Sequence, residues 1–269
     1  MKFEDVMLIM DLDGTLLASE GERSYLSKEN ETFIRRFIEG GGTFSIATGR
    51  GPQNGYHPVA HLPINFPLHL VNGALTLSHL DYAEKLDALY LDDDFFSEAI
   101  AYYKQDEKVS LVVVDDHGVH GLSHNGIVES DHGFRYQPLP VEDLRRENIY
   151  KIAFIAEESV CDALEKSLGH FIHADRTGLV RSLPRYLEAL HVHANKGRAI
   201  RKTMKALGYN DKTLVCVGDQ MNDATMLDTA DLALVPANAN EKLKRRYKTL
   251  PKNYNETLME DILDIIRER

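Results

Sequence analysis

Four aspartates fall in two short clusters whose spacing suits chemistry. Asp11 and Asp13 flank one leucine in Asp11-Leu12-Asp13-Gly14-Thr15, and Asp219 and Asp223 bracket Gln220-Met221-Asn222. A third polar cluster, Thr48-Gly49-Arg50, lies between them in the chain. Carboxylates gathered in one crevice cannot all stay ionised without a strong positive charge beside them. A bound divalent cation supplies that charge. Every candidate ligand offers oxygen, and no His or Cys lies in these clusters, which favours Mg²⁺ over Zn²⁺. Such an ion keeps some of its waters and shares a phosphate.

Each cluster alone has an ordinary structural explanation. Asp-Gly after a strand is a turn signal, Thr and Gly end strands, and Asp219 with Asp223 fits an N-cap and a first-turn acid. Position sets them apart, because each follows a short apolar run. Val6 to Met10 reads as a strand buried on both faces, with further strands at Thr43 to Ala47 and Thr213 to Val217. Ser27 caps a helix with Phe33, Ile34, Phe37 and Ile38 on one face, stopped at residues 40–42. Strand, helix, strand is the βαβ unit of a parallel sheet. His69 to Val71 predicts another strand before Asn72-Gly73. After Lys196 the pattern predicts a helix using Ala199, Ile200, Met204 and Leu207 and ending at Gly208. The strand at 213–217, a helix after Asn222, a strand from Leu232 to Val235 and a terminal helix using Leu258, Ile262 and Ile266 follow. Strands of one parallel sheet end on the same side, where open α/β sheets bind ligands, so the three clusters converge.

From about residue 81 to about 190 the alternation stops. Helices at 92–105 and 158–168, with β-rich runs at 110–114, 149–156, 179–182 and 186–191, predict helices on one face of an antiparallel sheet. The chain therefore reads as α/β: a doubly wound, Rossmann-like parallel-sheet core from residues 1–80 and 191–269, with an inserted α+β segment at 81–190. Its 269 residues suffice for both. A formal net charge of −11 repels nucleic acid and anionic lipid, and no apolar run approaches the ~18 residues of a membrane span. Cys161 and Cys216 are far apart and lack metal spacing, as in a reducing cytoplasm, and no export leader is legible. His117, His120, His124 and His132 have no spacing that fixes a metal geometry and read as surface or substrate-facing groups. His191 and His193 alternate along a strand. Lys242, Lys244, Arg245, Arg246 and Lys248 read as the solvated face of a helix.

Asp11-Leu12-Asp13-Gly14-Thr15-Leu16, Thr48-Gly49-Arg50, Lys196-Gly197 and Gly218-Asp219 with Asn222-Asp223 resemble the four ordered motifs of the haloacid dehalogenase-like phosphatase superfamily, most closely its Cof-type hydrolases. In that group an α/β cap lies between the second and third motifs, which fits the insertion. Asn72-Gly73-Ala74, Leu187-Glu188 and Pro236-Ala237-Asn238-Ala239 support the match. Pro236, where a more flexible residue is common, and a tail lacking the usual late glycine depart from it. The resemblance implies that Asp11 attacks phosphorus and becomes an aspartyl phosphate, and that Asp13 protonates the leaving alkoxide and then takes a proton from water. It implies that Thr48, Gly49, Lys196 and Asn222 hold the phosphoryl group while Arg50 braces the site. Lys196 on its own would read as a solvated helix-opening lysine. Mg²⁺ would be held by Asp11, the backbone carbonyl of Asp13, Asp219 and Asp223.

The expected activity is Mg²⁺-dependent hydrolysis of a small phosphorylated metabolite, such as a sugar phosphate, with the insertion as a substrate-selecting lid. A phosphomutase or phosphotransferase would pass the same phosphoryl group to a sugar. A non-catalytic phospholigand-binding module is the third alternative, and two aspartates suited to attack and proton transfer argue against it.

Overall fold

All five residues of β1 (Val6–Met10) are buried, because parallel strands on both sides cover its edges and helices cover its faces. The computed structural model describes residues 1–20, 23–124, 128–129, 135–136, 139–170 and 177–269. After β1 come a hairpin of β2 (Ala18–Glu20) and β3 (Arg23–Tyr25), then α1 (Lys28–Glu39), β4 (Thr43–Ile46), the single turn α2 (Pro52–Gly55), β5 (Leu68–Leu70), β6 (Leu75–Leu77) and β7 (Lys85–Ala88). The middle of the chain holds α3 (Asp93–Gln105), β8 (Ser110–Asp115), β9 (Gly118–Leu122), β10 (Val128–Glu129), β11 (Arg135–Tyr136), β12 (Lys151–Ile155), α4 (Glu158–Ser167), β13 (Thr177–Leu183) and β14 (Tyr186–His191). The last part comprises α5 (Lys196–Leu207), β15 (Thr213–Val217), α6 (Ala224–Thr229), β16 (Leu232–Val235), α7 (Glu241–Lys244), β17 (Lys248–Thr249) and α8 (Leu258–Glu268).

The chain divides into two compact units, one of residues 1–50, 54–87 and 195–269, the other of residues 51–53 and 88–194. In the first unit a parallel sheet runs in the order β17-β16-β15-β1-β4. Its helices start and stop where the side chains dictate. The Ser27 hydroxyl accepts from Asn30 N at 3.2 Å to open α1, and Asn195 Oδ1 accepts from Arg198 N at 2.8 Å to open α5, which closes on Gly208 in the left-handed conformation. Strand β1 pairs with β4, the next strand of this sheet in chain order, on one side, and with β15 on the other. The chain order reverses there, so the crevice of the sheet opens beyond Met10, at Asp11.

The strand expected at His69 to Val71 forms at Leu68–Leu70, one residue earlier, and it is not part of the parallel ladder. It pairs antiparallel with β6 in a three-stranded sheet β5-β6-β7 and touches the parallel sheet through an isolated bridge, Ala47 to His69. The cause is the turn that follows. Val71, Asn72 and Gly73 have φ of 50°, 54° and 84°, a run of left-handed residues that sends the chain back on itself. Such a conformation costs about 1–3 kcal/mol at a non-glycine residue and persists only where the surroundings enforce it.

In the second unit the sheet order is β13-β14-β12-β8-β9, antiparallel throughout. Phe95, Ala99 and Ile100 of α3 and Cys161 and Leu164 of α4 bury one face against Leu111, Val113, Ile152, Phe154, Leu187 and Ala189. On the opposite face, Val128 of the β10-β11 ribbon packs with Val112, Ala153, Ile155 and Tyr186. Among the described residues, no helix is long and apolar enough to cross a membrane.

Candidate active site

The ladder of the parallel sheet carries Asp11 one step past β1, where its N–H donates to Val217 O at 2.9 Å. Two residues beyond Val217 stands Asp219, held from three directions. Thr15 Oγ1 donates to its Oδ1 at 3.0 Å, Gln220 Nε2 donates to its Oδ2 at 3.2 Å, and its carbonyl accepts from Asn240 N at 2.8 Å. Gly14 lies against this carboxylate with φ of 74°, and a Cβ there would stand 2.5 Å from Asp219 Oδ2. Both facts demand glycine. Asn238 Nδ2 donates to the Gly14 carbonyl at 2.8 Å, tying the loop after β16 to the loop after β1.

Asp223 does two jobs. Its Oδ2 accepts from the N–H groups of Asp219 and Gln220 at 2.9 and 3.0 Å, as a residue starting a helix would. Its Oδ1 faces Lys196, whose Nζ donates at 2.6 Å to Asp223 Oδ1 and at 2.6 Å to Asp11 Oδ1. The lysine is completely buried. It reaches this depth because Gly197 lets α5 pack onto α6, where a Cβ would stand 2.2 Å from Thr225 O.

Ligand oxygens of Asp11, Asp219 and Asp223 lie within 4.8 Å of one another. Burial pushes the Asp11 carboxyl well above its ordinary range, opposed by Lys196 and reinforced by Asp223 and Asp219. Burial, with the Asp223 charge second, raises Asp219 to about 6. For Lys196, burial disfavours the ammonium, but Asp11 and Asp223 outweigh it and raise the group above its usual range. One ammonium thus faces three buried carboxylates, and the oxygen-only donor set fits a hard divalent cation.

Asp13 lies apart from this trio, with a half-exposed side chain. Arg50 grips it with two donors, Nε to Oδ2 at 2.8 Å and Nη2 to Oδ1. Thr48 is fully buried, its N–H donating to His69 O at 2.8 Å and its Oγ1 accepting from Arg50 N at 3.2 Å. Asn222 is exposed and donates from Nδ2 to Asn72 Oδ1 at 3.0 Å; a Cβ at Gly49 would lie 3.1 Å from that same oxygen. The supports from Thr15, Gln220 and Asn238 were not assigned from the sequence, although each stands inside or beside a quoted motif.

The other sequence candidates make contacts of their own. His117 contacts Arg145 at 2.8 Å, His120 contacts Asp115 at 2.9 Å and His124 contacts Tyr103 O at 2.7 Å; His132 lies outside the described residues. Strand β14 ends at His191, so His193 does not continue it; its N–H donates to His191 Nδ1 at 3.1 Å. The basic run is solvated but is not one helix face. Helix α7 stops at Lys244 and Lys248 opens β17, because that strand must pair with β16.

The family described as haloacid dehalogenase-like hydrolase matches residues 8–258. The chain belongs to this family. The HMP-PP phosphatase of Escherichia fergusonii is 28% identical over 244 residues, covering 90% of this chain and 87% of that protein. Its counterpart in Shigella flexneri serotype 5b is 27% identical over 248 residues, covering 91% and 89%. Among solved structures, a haloacid dehalogenase-like hydrolase from Bacteroides thetaiotaomicron superposes with a TM-score of 0.79 at 18% identity, covering 97% of this chain and 99% of that one. A sugar phosphatase of subclass IIB gives 0.76 at 16% identity, covering 97% and 98%. These likenesses show that the hydrolase shares their fold.

Proposed function

We propose that the hydrolase is a Mg²⁺-dependent phosphatase of small phosphorylated metabolites, working in the cytoplasm through an aspartyl phosphate at Asp11. The observation that carries the reading is the buried group at the carboxyl edge of the sheet: Asp11 and Asp223 share the Lys196 ammonium, with Asp219 beside them. Asp11, Asp219 and Asp223, with the Asp13 carbonyl, would hold Mg²⁺. When bound, the ion offsets the negative charge of carboxylates and phosphate and so lets the two approach.

In the first step an Asp11 oxygen forms a bond to phosphorus, the bond from phosphorus to the leaving oxygen breaks, and Asp13 gives that oxygen its proton. In the second, water attacks phosphorus, Asp13 takes the water's proton, and the bond between Asp11 and phosphorus breaks to release inorganic phosphate. Lys196, Thr48, the Gly49 backbone and Asn222 hold the oxygens that do not transfer, and Arg50 holds Asp13. Relatives named for HMP-PP and sugar phosphates support a small phosphorylated substrate. We assign substrate choice to the inserted segment, read at 81–190 from the sequence. The test is phosphate release from a panel of sugar phosphates, nucleotides and cofactor phosphates. Turnover should vanish with chelator and return with Mg²⁺, whereas full activity in excess chelator would overturn the metal assignment.

A further inference from the structure

The turn after β5 joins three of the motif segments at once. Asn72 N donates to Thr48 O and Val71 N donates to Arg50 O, both at 2.9 Å. Gly73 is pressed against the carbonyl of Asn195, the residue before Lys196, where a Cβ would lie 2.4 Å from that oxygen. Asn72 Oδ1 takes the N–H of Asn222. The backbone is unusual as well as central: Val71 is β-branched and fully buried, yet it sits in the left-handed region with Asn72 and Gly73. A strand reversal alone does not call for a valine there. The strain is matched by what it presents, which is the Asn72 amide between Gly49 and Asn222.

That amide is half used. Its oxygen is committed to Asn222, which turns its Nδ2 the opposite way, and among the described residues Nδ2 donates to nothing. Two N–H donors are therefore left on a half-buried side chain that adjoins Thr48, Gly49 and Asn222, the phosphoryl-holding group. We propose that Asn72 is a further phosphate-contacting residue: Nδ2 donates to an oxygen of the bound phosphate while Oδ1 fixes the Asn222 amide for the same task. This rests on the phosphatase reading of the site and adds to it a residue outside the four motifs.

Two substitutions separate contact from support. Asn72→Asp has the same shape, tolerates the left-handed backbone and still accepts from Asn222, but sets a negative oxygen where the N–H donors were. Asn72→Gly keeps the backbone and removes both functions. Inorganic phosphate binding is measured by calorimetry in excess Mg²⁺, alongside aryl phosphate hydrolysis and thermal melting. Losing a hydrogen bond to a charged group is worth about tenfold in affinity. Asn72→Gly should weaken phosphate binding about tenfold and Asn72→Asp by more, both with melting close to wild type. Wild-type phosphate affinity in Asn72→Asp, with weakening confined to Asn72→Gly, would overturn the contact and leave only support of Asn222. Wild-type affinity in both would overturn the proposal altogether. If the wild-type protein binds phosphate but does not hydrolyse aryl phosphate, the phosphatase reading fails, while weaker binding by Asn72→Asp still upholds the contact. If it neither binds nor hydrolyses, both are overturned.

Discussion

Asp11 and Asp13 are separated by one residue, yet their surroundings differ enough to divide the labour. Asp11 is buried against a lysine and two acids, whereas Asp13 is half exposed and held by one guanidinium. Asp11→Asn should abolish hydrolysis of every ester. Asp13→Asn keeps the proposed nucleophile, so an aryl ester, whose phenolate leaves without a proton, should give a burst of at most one equivalent of phenol and then stall. Rapid-mix phenol release and the mass of quenched protein check this, and equal first-step losses for aryl and sugar esters would refute it. Arg50→Met frees Asp13 from its two-point grip and should slow sugar phosphates more than aryl phosphates, because only the former need the positioned proton. Protonation of Asp219 gives a pH signature. Its carboxyl is raised to about 6 from an ordinary value of 3.8, so the folded chain holds that proton more tightly than the unfolded chain does. The group's contribution to stability is therefore largest below 3.8 and is lost as pH rises towards 6. In the proposed site Mg²⁺ competes for the same carboxylate, so it should raise the melting temperature more at pH 7 than at pH 5. An equal rise at both would separate Asp219 from the metal.

At the level of elements, the tight approach of α5 to α6 sets the depth of Lys196. Gly197→Ala puts a methyl group onto the Thr225 carbonyl, a backbone atom with no rotamer to yield. Alanine gains up to about 1 kcal/mol in helix propensity, and overpacking costs about 1–3 kcal/mol. Urea unfolding should therefore show net destabilisation, together with lost activity as Lys196 shifts; a stabilised and fully active variant would contradict the packing argument. The patterns that made helices and strands legible were local. β1, α1 and α5 could be read from apolar period and capping residues, and Asp11, Asp219 and Asp223 from their place at strand ends. The placement of β5 could not, because it depends on three consecutive left-handed residues, one of them a valine, stabilised by bonds to Thr48 and Arg50. The burial of Lys196 was equally hidden. Nothing in a charged helix-opening residue announces that two carboxylates wait at the bottom of a crevice, and only the motif resemblance pointed there.

At the scale of the molecule, exchanging the segment at 81–190 for a relative's should change which metabolite is preferred while sparing slow hydrolysis of a small aryl phosphate. Loss of aryl hydrolysis with the fold retained would place core chemistry in that segment. The pairing of β1 has a consequence for synthesis. Val6 pairs with Thr213 and Met10 with Val217, so one flank of β1 waits for about 200 residues to be translated. At ~5–20 residues per second that delay is on the order of 10–40 s, during which an apolar strand has one open edge. Residues 88–194 are translated before that partner strand, β15, and can fold first. Nascent chains carried to residue 194 and followed by an unstructured linker long enough to clear the ribosome should yield a protease-resistant fragment from this unit while the N-terminal strand remains cleavable or chaperone-bound.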